Sequence, residues 1–427
     1  MTTSAAPATR TPDTRTTTYG DVLRTAYVLR LLTGAVVGHL PVAMAPLAIL
    51  LAVRAAGGTM HQAGLLAAAY GLTAAIGQPL WGRMLDRRGH VLTLTLTATV
   101  STAAFSALSG MNPVTSSAAV AAITALAGLF TPPLEAALRV LWPAVVPRPG
   151  QQRAALALDA CAQEVVFIAG PLLVLALDAA GGSGLVLGAT TFLGLFGTLL
   201  FATARPSREH QPAPTTRPDW LGPLRAPGPR ILAAALLGAG VALGALNVTA
   251  LALAERHHTP ALSTLIPAAL AVGSLTGGLL YGRRAWPGSP AGQLLGAATG
   301  LFIGLLPTLT VSGPIGAVTS ALLPGVFLAP LLVACFASLD HLAPRGTLGE
   351  ASAWLIACLG LGQAAGTALA GAAGDDGPLG PAAVAVTGAA FAALVLAATR
   401  RRLAQHAHTP ALATTAEDTD RECVRAR

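Results

Sequence analysis

Residues 82–90 read Gly82-Arg83-Met84-Leu85-Asp86-Arg87-Arg88-Gly89-His90. Charge is concentrated in this short stretch, and an apolar run flanks it on each side, 61–82 before it and 91–110 after it. A bilayer core about 30 Å thick takes roughly 20 apolar residues of helix, so each run is long enough to cross it. Glycine at the helix ends lets the chain turn tightly. The stretch therefore predicts two membrane helices joined by a charged hairpin.

The same pattern continues in both directions. Runs at 27–53, 61–82, 91–110, 115–141, 154–177 and 183–203 are followed by runs at 231–254, 261–281, 292–311, 315–339, 348–373 and 381–399. Between the two sets, Ala204 to Pro229 is rich in Pro and Arg and reads as a linker. The expected fold is an all-α integral membrane protein of about 12 helices in two six-helix bundles. Its expected parts are a tail over 1–26, a bundle over 27–203, a linker over 204–230, a bundle over 231–399 and a tail over 400–427. The last tail mixes Thr, acidic residues and Arg without an apolar pattern, which predicts disorder.

Composition excludes a soluble chain of 427 residues: 53% are apolar before the 47 glycines are counted, and only 10% are charged. A soluble domain is roughly 25% charged. The net charge of +8 comes from 26 basic residues, all arginine. They sit in short loops between apolar runs, not on one face, so no nucleic-acid partner is expected. With both ends cytoplasmic, 23 of the 26 fall on the cytoplasmic side, whereas the outer loops carry Asp178, Glu255, Asp375 and Asp376. That asymmetry fits the positive-inside rule and an even number of spans in the cell membrane.

Residues 1–20 are polar and Thr-rich with no short apolar core, which does not match a cleavable signal peptide. Cys161, Cys335, Cys358 and Cys423 are too scattered for a metal knuckle or a disulfide framework. His257-His258 and His406 with His408 lack partner ligands at useful spacing, so no metal is expected. No phosphate-binding glycine loop ending in Lys exists, and no other cofactor is expected.

The two halves echo each other. Gly77, Leu80, Gly82 and Arg83 recur 200 residues later as Gly277, Leu280, Gly282 and Arg283. Parallel repeats of this kind are found in secondary transporters. The hairpin at 82–90 resembles the G-x-x-x-D-R-x-G-R signature of the major facilitator superfamily, with His90 and Val91 where the family carries a basic pair. Through topology, linker and motif the resemblance covers nearly the whole chain. It implies that Gly82, Asp86, Arg87 and Gly89 form a latch between the bundles when the transporter faces outward. Carboxylate and guanidinium suit that role, because both engage helix ends through charge–dipole contacts.

Gly170-Pro171 partly matches a glycine-rich pattern of family antiporters on span five and marks a candidate hinge, although Leu172 and Leu173 follow it. The wording around Pro132-Pro133, Leu158-Asp159 and Glu350 to Trp354 is similar to actinobacterial exporters of drugs and natural products.

Ionisable residues inside spans are costly, so each is a candidate functional site. Counting about 1.5 Å per residue from 154 places Glu164 roughly 15 Å deep, near the midplane. A carboxyl there suits proton coupling. Asp159 is shallower, shares a face with Gln163, and is a further proton-coupling candidate that is also expected to pair with Arg30 or Arg139 or to meet substrate. His39 stands near the middle of span one, either titrating or satisfying a neighbouring helix. Glu135 and Arg139 predict a local i,i+4 ion pair. Arg30, Gln163, Asn247 and Gln363 are candidates to line a substrate cavity.

Gly292, Gly296, Gly300 and Gly304 predict a smooth ridge for helix packing. Together these features point to a monomeric exporter, not an enzyme, that drives small amphipathic molecules out by proton antiport. A proton-coupled nutrient importer is disfavoured by the few Asn, Gln and Trp in the spans. A membrane-embedded enzyme or scaffold is disfavoured by the lack of a dense His/Asp/Glu cluster.

Overall fold

The computed structural model describes residues 19–113, 116–211, 222–259, 261–284, 286–310, 313–344, 346–373 and 380–406. The first 18 residues, the middle of the linker, Asp375, Asp376 and the tail beyond 406 lie outside them, as do the expectations made for those segments. Every regular element among the described residues is helical. The first half holds α1 (Tyr19–Leu23), α2 (Val28–Ala55), α3 (Met60–Arg88), α4 (His90–Ser109), α5 (Ser117–Leu129), α6 (Leu134–Val145), α7 (Pro149–Ala202) and α8 (Arg205–Glu209). The second holds α9 (Pro227–Arg256), α10 (Leu262–Arg283), α11 (Pro290–Leu305), α12 (Pro314–Leu342), α13 (Leu348–Ala373) and α14 (Gly380–His406).

Eleven segments among the described residues are long and apolar enough to cross a membrane. One of them, α7, is two spans folded back on each other. Its 54 residues are interrupted at Gly181 and Gly182, the latter at φ +71°, a conformation that glycine adopts without strain. Gly170 packs against Ala43 of α2, and Gly194 packs against Pro41, almost level with it. Residues on the two sides of the glycine pair thus return to the same height on α2, which makes twelve spans.

Span four differs from its expected form. It breaks at residues 130–133 into α5 and α6, because Pro132 and Pro133 supply no backbone N–H to continue the ladder. The break places Glu135 in the first turn of α6.

The echo between the halves is structural. Gly77 meets the backbone carbonyl of Leu129 in span four, and Gly277 meets that of Val326 in span ten, both too closely for a Cβ. The ridge expected on span nine is only half used. Gly300 packs on Phe327 and Gly304 on Pro324, whereas Gly296 meets nothing within 4 Å.

The 82–90 hairpin, the start of α2, the linker and the end of α14 share one face of the molecule, called the linker face below. Adding glycine packing to broad apolar contact, α2 pairs with α7 in the first bundle, and α9 with α13 in the second. The buried cores cover both bundles, and the charged residues considered next stand where the bundles meet.

Candidate functional site

Two seams join the bundles near the linker face. In the first, α3 meets α13. Both carboxylate oxygens of Asp86 accept backbone N–H groups from the start of α13, Gly349 N at 3.0 Å and Glu350 N at 2.7 Å. A carboxylate on the unpaired N–H groups of a helix start gains both hydrogen bonds and the helix dipole. Arg83 Nη2 lies 2.6 Å from Glu350 Oε1. Gly82 lets the helices approach, since a Cβ there would stand 2.6 Å from that of Ala353. Gly89, at φ +85°, ends α3 and starts α4.

Gly82 and Asp86 of the motif thus stand at this seam. Its guanidinium comes from Arg83, one turn before Asp86. Arg87 is exposed and forms no ion pair among the described residues. Glu350, which completes the pairing, was legible only as an acidic residue at the start of a span.

In the second seam, α7 meets α10. Tyr19, from the short helix α1, donates its hydroxyl to the carbonyl of Leu279 at 2.6 Å. Gly282 accommodates Ala157 and the Tyr19 hydroxyl. Burial pushes the Tyr19 phenol up to about 12, with Cys161 adding to the rise and Arg283 opposing it, so it stays a neutral donor. Farther from the linker face, Ser274 of α10 donates to Glu164 Oε1 at 2.7 Å. Glu164 thus sits between the bundles and makes no ion pair among the described residues.

Deeper in the first bundle lies a buried chain of four ionisable side chains. His39 Nε2 of α2 is 3.1 Å from Glu135 Oε1, and Glu135 Oε2 is 3.2 Å from Arg139 Nη2. Arg139 Nε is 3.1 Å from Asp159 Oδ2 on α7. Asp159 pairs with Arg139 and not with Arg30, and it also engages Gln163. Two carboxylates face one guanidinium, so the quartet balances its charge when it takes up one more proton. Four polar atoms around it have no hydrogen-bond partner among the described residues: His39 Nδ1, Arg139 Nε, Arg139 Nη1 and Gln163 Oε1, the Nε facing Asp159 as an ion pair without hydrogen-bond geometry. Buried polar atoms are nearly always satisfied, which makes this cluster a candidate polar site.

The remaining candidates are dispersed. Arg30 is exposed on the α2–α7 seam, where it donates to the carbonyl of Leu200 and to Thr203, and so it does not line an interior cavity. Asn247 is exposed on α9. Gln363 is half-buried, with its backbone packed against Gly244. Helix α7 continues through Gly170-Pro171, and its break comes at Gly181-Gly182 instead.

His90, which stands where the family carries a basic residue, is buried in α4 with its ring 4.5 Å from that of His210. Burial pushes His210 below the usual imidazole range. No group of three metal-ligating side chains occurs among the described residues.

A family model described as Major Facilitator Superfamily matches residues 31–323. The chain belongs to the Major Facilitator Superfamily. It is a multi-pass membrane protein of the secondary-transporter class, not an enzyme. No curated protein matches its sequence.

Among solved structures, the human organic anion transporter MFSD10 (TETRAN) is similar in fold at 15% identity and a TM-score of 0.67, covering 86% of this chain and 98% of that one. A bacterial homologue of the iron transporter ferroportin in an outward-facing state has 13% identity and a TM-score of 0.68, covering 90% and 99%. The E. coli fucose:proton symporter FucP has 13% identity and a TM-score of 0.67, covering 87% and 97%. At these identities the likeness extends to the fold alone.

Proposed function

We propose that this chain exports small amphipathic molecules in exchange for protons, by alternating access to a site between its two bundles. The observation that carries the reading is the buried quartet His39–Glu135–Arg139–Asp159, one proton short of balance and bordered by unpartnered polar atoms. Glu164, hydrogen-bonded at the bundle interface by Ser274 and by no other side chain among the described residues, is the second proton-coupling carboxyl. A group that ionises inside a bilayer without a fixed counter-charge suits a step in which a proton comes and goes.

Three further features support the reading. Few Asn, Gln and Trp stand in the spans, which suits an amphipathic substrate better than a sugar. The arginine asymmetry supports a linker face on the cytoplasmic side of a cell membrane, with both termini inside. The seams at that face are closed, so the site is offered to the exterior. In this reading the transporting unit is a monomer, with bundles over 27–203 and 231–399 and no cofactor. Its biological output is efflux of drug-like or natural-product compounds, and hence resistance to them.

The test is substrate-induced proton release from energised inverted vesicles, screened over amphipathic drugs and natural products. A compound that collapses the pH gradient only when this protein is present is the expected result. Glu164→Gln should insert normally and lose at least tenfold of that signal, about 1.4 kcal/mol or more in the coupled step. An unchanged signal removes Glu164 from the mechanism. Substrate uptake with the proton flow, instead of against it, reverses the direction assigned here.

A further inference from the structure

The quartet belongs wholly to the first bundle: His39 on α2, Glu135 and Arg139 on α6, Asp159 on α7. One ring of the second bundle touches it. Phe336 of α12 lies flat on the guanidinium of Arg139, with its ring centroid 3.5 Å from Cζ. Both side chains are buried, Phe336 at 6% exposure and Arg139 at 7%. Glu135 and Asp159 take the edges of the guanidinium, and Phe336 takes its face. The two kinds of partner fit together sterically but compete for the same charge.

We infer that Phe336 is the positioning residue through which the second bundle senses the protonation of the quartet. The inference rests on the proton-coupled reading given above. An aromatic face attracts a cation in proportion to the charge that other partners leave uncompensated. A proton shared between His39 and Glu135 lowers the negative charge facing Arg139, and the guanidinium then holds the ring more strongly. Loss of that proton returns Arg139 to its two carboxylates and loosens the ring.

Phe336 is embedded in the second-bundle core beside Val333, Cys335 and Leu339, so it moves with that bundle when the bundles separate. Protonation therefore favours the arrangement with the linker face closed. By linkage, opening that face favours release of the proton.

Few other ionisable groups stand near this contact. On α7 there are Cys161 and Glu164, the latter turned to Ser274 of α10. On α12 the only ones are Cys335 and, at the linker end, Asp340 and His341. On α13 there are Glu350, engaged by Arg83, and Cys358. On α10 there are none before Tyr281. The pH response is accordingly assigned to the quartet.

The experiment uses the full chain in lipid nanodiscs, with spin labels on Arg88→Cys and Arg284→Cys to report the distance across the linker face from pH 5 to 8.5. Unaltered Phe336 should give a closed-to-open ratio that falls roughly tenfold as pH rises, the scale expected of a desolvated cation–π contact. Phe336→Leu should flatten that response to less than twofold, and Phe336→Trp, which keeps an aromatic face, should retain it. The tryptophan variant guards against a folding defect, since a merely structural role gives both variants the same pH profile. A leucine variant that keeps the full pH response overturns the inference and leaves proton coupling standing. No pH response with Phe336 in place overturns proton coupling by the quartet, and the inference with it.

Discussion

The α3–α13 and α7–α10 seams occupy equivalent places in the two repeats, yet they are held by different forces. Both depend on a glycine without a side chain, Gly82 in one and Gly282 in the other, 200 residues apart. Beyond that shared device they diverge. The first seam carries formal charge: Asp86 on the start of α13, and Arg83 on Glu350. The second has no ion pair across it among the described residues: it is closed by the Tyr19 hydroxyl on a carbonyl and by Ser274 on Glu164, with Arg283 over the Tyr19 ring at 5.7 Å. Close approach is thus the shared element, and an ion pair stands on one side alone. A seam with an ion pair is strong and specific, whereas one without separates at lower cost. The bundles should therefore hinge about α3–α13 as they part along α7–α10.

The comparison can be broken most sharply at Asp86. Asp86→Ala removes the acceptor for two buried backbone N–H groups at a helix start, and hydrogen bonds to a charged group contribute about 1.5–3 kcal/mol. The closed linker face should lose roughly a hundredfold in population, read by cross-linking of cysteines placed across the first seam. Closure that survives would show that the charge is incidental. Gly282→Val comes next. Its side chain would meet Ala157 and Tyr19, and overpacking of this kind costs about 1–3 kcal/mol. Cross-linking should fall across the second seam while the first still forms, and equal loss at both would mean that the seams are not separable.

Tyr19→Phe is milder, because it removes one hydrogen bond worth about 1 kcal/mol and leaves one carbonyl unpaired. Its effect should be roughly fivefold on the second seam. The sign of its pH dependence follows from the raised phenol: the bond is fully present below the ordinary value near 10 and is lost only as pH rises through about 12. Cross-linking of this seam through Tyr19 should therefore be flat between pH 5 and 9, and a slope there would point to another group. Arg87→Ala should change closure by less than about 0.5 kcal/mol, as exposed substitutions usually do. A larger loss would restore Arg87 to the latch.

The motif marks Asp86 and Gly82, which stand at the first seam, whereas the arginine paired across that seam is Arg83. Asp86 and the glycines were readable because the hairpin fixes them at a helix end. The choice between Arg83 and Arg87 depends on which way each side chain leaves α3, and that is set by where α13 packs. The quartet shows the same division. Glu135 and Arg139 are four apart on one helix, so their pairing was evident from spacing alone. His39 and Asp159 lie 96 and 24 residues from Glu135 in sequence, and only the folded bundle brings them to it.

Sequence by itself determined that this chain lives in a bilayer, crosses it about twelve times, divides into two repeats and carries a charged hairpin between spans two and three. Those properties follow from hydrophobic length, glycine and charge placement, all local along the chain. The tertiary structure alone decided that Arg83 pairs with Glu350 across the first seam, that His39 and Asp159 join Glu135 and Arg139, and that Phe336 rests on Arg139. Each of these depends on contacts between distant segments, and in a chain so rich in Ala, Leu and Gly the apolar pattern alone cannot say which helix faces which.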